Sequence, residues 1–328
     1  MLWLRPSQQA AAERLLDGLD VSLVAVGSPH DVSAKSSVLL EHETSDDIRR
    51  TVAAHPEACL ILLAVTSDVR EAFLKPASFP RPALSATAPI IAVEPLMASL
   101  TDMRRVIDEH PAWISRLHHA PQLLRSHGGV TALESVESFG RIRSIDLAMR
   151  TGGELSLGAM LLDAMEFVAA TLGEPESIDA SMSGVEAHSG LRLAAGEALT
   201  SISGDLNAHL RFPDDRAAVI SLSDRAGAWF RGATMLGVGG CLRFDDASFE
   251  WIDSTGQVVE KTAEAQRAEA TFESLLAEQI RSIMAAPHIR TSPDHGVRAF
   301  ALAEAALLSA RTGQPESPTT ILRMAGIS

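Results

Sequence analysis

The sequence has no tyrosine, only three lysines (Lys35, Lys75, Lys261) and only two cysteines in 328 residues. Without tyrosine, a phenolic proton donor drops out of every catalytic reading. The arginines are scattered and the net charge is −14, so no basic patch exists to neutralise phosphates, and neither nucleic acid nor an anionic membrane is an expected partner. Cys59 lies in an apolar run and Cys241 in GGCLRF. That pairing has neither metal-ligand spacing nor the density of a disulfide framework. The longest apolar run, CLILLAV at 59–65, is far too short to span a membrane, and the start MLWLRPSQQ lacks the layout of a signal peptide. A cytoplasmic location is the expectation. His188, His209, His288 and His295 lack metal-ligand spacing, and no serine sits in a Gly-x-Ser-x-Gly setting. No metal and no hydrolase elbow are expected.

What is present is a chain 46% hydrophobic, long enough for two packed cores. In its first part, strand-length runs VSLVAVG (21–27), CLILLAV (59–65) and PIIAVEP (89–95) alternate with helical stretches QQAAAERLLDGL, SDDIRRTVAAH and SLTDMRRVIDEH. Apolar strands separated by amphipathic helices predict a doubly wound parallel sheet, with Ser7, Ser45 and Ser99 placed to cap the helices. Near Gly140 the pattern changes. RIRSIDLAM, LNAHLRF, AAVISLSD and CLRFDDASFEWID alternate in the manner of an open, mainly antiparallel sheet, interrupted by helices near 155–172 and 293–312. The reading is α/β followed by α+β, with domains at 1–120 and 121–328.

Four stretches carry a family likeness: IIAVEPLMASLTDM, ESFGRIRSI, GGCLRFDDASFEWIDSTG and VRAFALAEAALLSARTGQP. Together they resemble the strand ending in Glu-Lys-Pro, the domain crossover, the sheet hairpin and the closing helix of the glucose–fructose oxidoreductase, inositol dehydrogenase and rhizopine-catabolism (Gfo/Idh/MocA) family. The likeness implies a Rossmann-like domain, NAD or NADP as cofactor, a sugar or cyclitol substrate, and a homo-oligomer. A dimer built on the open C-terminal sheet is expected, with Ile220, Leu222, Trp229, Phe249 and Trp251 as candidates for its apolar surface, some of which must instead face the domain's own helices.

The departures from that pattern bear on function. The turn after the first strand reads LRPSQQAAAE without glycine, although a dinucleotide site uses glycine there to bring the backbone against the pyrophosphate. The second strand ends in Gly27-Ser28 where an acid would hold the ribose, with Asp31 only nearby, and Glu94 meets Pro95 with no lysine between them. In the helix GELSLGAMLLDAMEF, one register of the family pattern puts Ser156, Gly158, Met160 and Asp163 at its functional positions, with methionine in place of the catalytic histidine. A shifted register puts Asp163 there instead, and the sequence leaves both open.

Glu94, Pro95, Gly27 and Ser28 are therefore the candidate cofactor-side positions, and Asp163, His118 and His119 the candidate catalytic ones. Glu94 lies where open α/β sheets bind ligands, though a plain strand-ending turn also explains Glu94-Pro95. His118-His119 could relay protons or simply occupy a loop. Asp163 and Glu166 share a helical face. The reading favoured is a family member that has lost nicotinamide chemistry and acts as a ligand-binding or structural subunit. The alternative is an active NAD(P)-dependent oxidoreductase of a sugar or cyclitol.

Overall fold

The computed structural model describes residues 1–19, 21–27, 43–45, 47–75, 87–109, 111–183, 198–262, 271–286 and 293–327. The chain forms two compact units, one of Met1–Pro121 with Phe272–Pro293, the other of Gln122–Thr271 with Asp294–Ser328.

The first unit is built on six parallel strands: β1 (Leu2–Trp3), β2 (Ala25–Gly27), β3 (Glu43–Ser45), β4 (Leu60–Leu62), β5 (Ile90–Ala92) and β6 (Leu117–His119). They lie in the order β3-β2-β1-β4-β5-β6. This is the doubly wound order of dinucleotide-binding domains, whose direction reverses between β1 and β4. The ladders use only three residues of each long apolar run. Beyond β4, Leu63, Ala64 and Val65 stay at 4% exposure or less, whereas Val21 and Val24 before β2 are exposed. Helix starts are set by local chemistry. Asp47 accepts the Arg49 N–H and caps helix Ile48–Ala54, so Ser45, the expected cap, instead ends β3. Ser99 accepts from Asp102 N–H as expected, whereas Ser7 lies inside a short 3-10 turn and caps nothing. Helix Phe272–Ala285 joins this unit rather than the C-terminal one. It packs on helix Gln9–Asp17 with Arg14 paired to Glu273 at 2.5 Å.

The second unit holds an eight-stranded sheet of β7 (Ile142–Arg150), β8 (Ser177–Ser183), β9 (Asp205–Phe212), β10 (Arg216–Ser223), β11 (Phe230–Gly237), β12 (Gly240–Asp245), β13 (Phe249–Ile252) and β14 (Val258–Lys261). The order is β14-β13-β12-β11-β7-β10-β9-β8, antiparallel except for the central β7–β10 pair. Strict alternation sends Ile145, Leu147 and Met149 to one face, beneath helix Leu157–Leu172, and Asp146 and Ala148 to the other. GVGGC at 237–241 is the β11–β12 hairpin turn, with Gly240 at φ 108°.

The same alternation corrects the expected dimer surface. Ile220, Leu222 and Phe249 are all 2% exposed or less and belong to the buried face. Trp251 stacks edge-on with Phe139, and the Trp229 indole N–H is held by Asp246. What the open face offers is mixed: Val219, Phe230 and Leu236 among polar neighbours, and a cavity of about 300 Å³ over Gly232 lined by Asp146, Arg243 and Glu250.

Candidate functional site

In a doubly wound sheet the ligand edge is the carboxyl end of the strands, and in this unit that edge is dense with polar side chains. After β1 the chain turns through Arg5-Pro6-Ser7-Gln8. The Gln8 carboxamide fills the turn: its Oε1 accepts the Arg5 N–H at 2.9 Å, and its Nε2 donates to the Leu63 carbonyl at 2.8 Å beyond β4. At the end of β2, Gly27 is fixed by packing, because a Cβ there would lie 2.0 Å from the Trp3 ring. Ser28 lies outside the described residues.

Beyond β4, helix Ser67–Leu74 begins after Thr66 and carries Arg70. Burial lowers the Arg70 pKa, Glu94 pulls it back up and Arg5 pushes it down, so these three charges share one neighbourhood. Glu94 is half-buried two residues past β5, and Pro95 behind it is buried. On the neighbouring strand, His119 stands opposite Ala92 and His118 opposite Ile91. Burial, then the adjacent His118, drive the His119 pKa down to about 4 against the Ala92 carbonyl, so its imidazole is neutral at physiological pH. His118 and His119 thus lie on β6, next to the strand β5 that leads into Glu94-Pro95, while Gly27 is three strands from β5, about 14 Å at the usual strand spacing.

Asp163 belongs to the second unit. Ser156 caps its helix through the Ala159 N–H, Met160 is fully buried one turn on, and Asp163 follows at 6% exposure. Both Asp163 oxygens are engaged, Oδ1 by the Leu123 N–H and Oδ2 by Arg231 Nη1, each at 2.8 Å. Arg231 also forks onto Asp246, with its shortest contact at 2.7 Å, and stacks 5.0 Å from the Trp229 ring. Burial opposes the guanidinium charge, but the two carboxylates outweigh it and raise its pKa. Burial pushes Asp163 up to about 6 against the pull of Arg231.

One turn further, Glu166 accepts from the Gln122 amide. Burial and the charge of Asp163 push its pKa up to about 7, against Arg125 and Gln122. Gln122, Arg125, Arg231 and Asp246 are the residues that sequence reading missed. They come from a 3-10 turn with its cap, from β11 and from the turn after β12, and no spacing rule connects them.

These two sheets, in this order and topology, have the fold of the NAD-linked sugar and cyclitol dehydrogenases. Levoglucosan dehydrogenase in complex with NADH and levoglucosan is similar with a TM-score of 0.70 at 11% identity, over 96% of this chain and 98% of that one. An oxidoreductase from Agrobacterium radiobacter in complex with NAD+, L-tartaric acid and magnesium gives 0.68 at 15% identity, over 98% and 99%. A myo-inositol dehydrogenase from Corynebacterium glutamicum gives 0.65 at 15% identity, over 96% and 98%. At such identities the likeness shows the fold. No protein-family model and no curated protein matches the chain.

Proposed function

We propose that this protein binds a small sugar-like ligand on a dehydrogenase fold without nicotinamide-dependent hydride transfer. The observation that carries the reading is Gln8. A dinucleotide domain presents the N–H groups of its first turn to a pyrophosphate, and here the Gln8 side chain already accepts the Arg5 N–H and bridges to Leu63, so the residues do not fit that group. Trp3 packed on Gly27 and the two committed oxygens of Asp163 point the same way, since a carboxylate held by Arg231 and a backbone N–H is not placed to exchange a proton. The sugar-like ligand follows from the substrates named for the neighbours in fold.

Titration calorimetry with NAD, NADH, NADP and NADPH tests the proposal. No saturable binding tighter than about 1 mM is expected, and a dissociation constant below about 10 μM would overturn it. The second reading, an active NAD(P)-dependent sugar or cyclitol oxidoreductase, is favoured by Glu166, a carboxyl group whose pKa of about 7 suits a general base. That same titration decides between them.

A further inference from the structure

The end of β1 and β4 carries more hydrogen-bond donors than the protein satisfies. Gln9 Nε2, Arg70 Nε and the Thr66 hydroxyl are closed off from water and meet no hydrogen-bond partner among the described residues. Gln9 opens the helix after β1, next to the Gln8 that spans to Leu63, and Thr66 and Arg70 open the helix after β4, so all three serve the point where the sheet order reverses. A buried donor left unpaired is destabilising, and groups in that state are informative because a bound acceptor would relieve them. Arg5 adds a second positive charge beside Arg70, a repulsion that an anion would also relieve. Arg70, Gln9 and Thr66 are only partly buried as whole residues, so their side chains can swing to meet a ligand.

We propose that Arg70, Arg5, Gln9 and Thr66 form an oxyanion site, and that the ligand is a small hydroxylated molecule carrying a carboxylate or phosphate group. Glu94, facing Arg70, accepts the ligand hydroxyls. The site holds its anion by side chains, where a dinucleotide domain would use backbone N–H groups of a glycine turn. This inference rests on the preceding reading of a small sugar-like ligand, and it names the group by which that ligand is held.

The test is calorimetric titration of the full chain with gluconate, glucose 6-phosphate and glucose. One of the two anions should bind at least about tenfold tighter than glucose, the scale of a single charge-assisted contact, and which anion binds identifies the group. Arg70→Gln should weaken that binding by at least about tenfold and Gln9→Glu should do the same by repulsion. Both variants should melt within about 4 °C of the parent, because Gln9→Glu loses no hydrogen bond of Nε2 and Arg70→Gln loses only the long Nη2 contact to the Val65 carbonyl at 3.3 Å. Failure of both anions to bind better than glucose, or full affinity in Arg70→Gln, overturns the site. Tight NADH binding would instead overturn the loss of nicotinamide chemistry, so the two failures are distinct.

Discussion

Replacing Glu166 by glutamine tests the electrostatics of the second unit with one atom changed. Burial and the neighbouring Asp163 lift this carboxyl from its ordinary 4.5 to about 7, so the folded unit prefers it protonated. The sign follows directly. A folded pKa above the unfolded one contributes stability that is full below pH 4.5 and is lost as pH rises through 7. A shift of this size has a ceiling of about 3 kcal/mol at 1.36 kcal/mol per pH unit, and partial solvent contact and the pull of Arg125 reduce the expectation to about 2 kcal/mol. Glutamine keeps an oxygen to accept from Gln122 and carries no charge to desolvate. Thermal melts of parent and Glu166→Gln at pH 5 and pH 8 should differ little at pH 5. At pH 8 the variant should be more stable by about 2 kcal/mol, or about 4–8 °C for a unit of this size. A variant less stable than the parent at pH 8, or a difference independent of pH, would refute the reasoning.

Gly27→Ala should destabilise the first unit by about 1–3 kcal/mol, because the new methyl group meets the Trp3 ring at 2.0 Å in a layer with no space to give. Denaturant unfolding followed by tryptophan fluorescence measures this, and an unchanged midpoint would mean that the indole is not lodged there. Arg231→Met strands Asp163 and Asp246 without their shared cation and should cost about 3–5 kcal/mol. A loss below about 1 kcal/mol would show that the two carboxylates are solvated rather than buried.

The fold was legible because its signals are local and the candidate site was harder to read because its partners are not. Apolar runs marked β2, β4 and β5, alternation marked β7, β9, β10, β12 and β13, and Gly140, Gly173 and Gly313, all at positive φ, end the helices where glycine relieves the left-handed strain. Helix Phe272–Ala285 shows the limit: the sequence reading did not mark it among the helices of the C-terminal half, and its partner, helix Gln9–Asp17, lies at the other end of the chain. Asp163 could be placed on a helix, yet its meaning depends on Arg231, which reaches it only because β11 pairs with β7 and sets Arg231 opposite Met149.

Glu94-Pro95 is the sharpest instance. Read along the chain, the pair lacks the lysine of the family it resembles, and no lysine stands within sequence reach. In the fold, helix Ser67–Leu74 supplies Arg70, whose charge acts on Glu94 from the adjacent strand connection. The positive charge at this edge is therefore present but comes from a different element. A guanidinium differs from an ammonium in kind, offering a planar fork suited to carboxylate and phosphate rather than a compact donor beside a nicotinamide. The change of cation and the filled first turn agree with each other and with the proposal above, in which this edge offers arginine to a small anion in place of backbone to a dinucleotide.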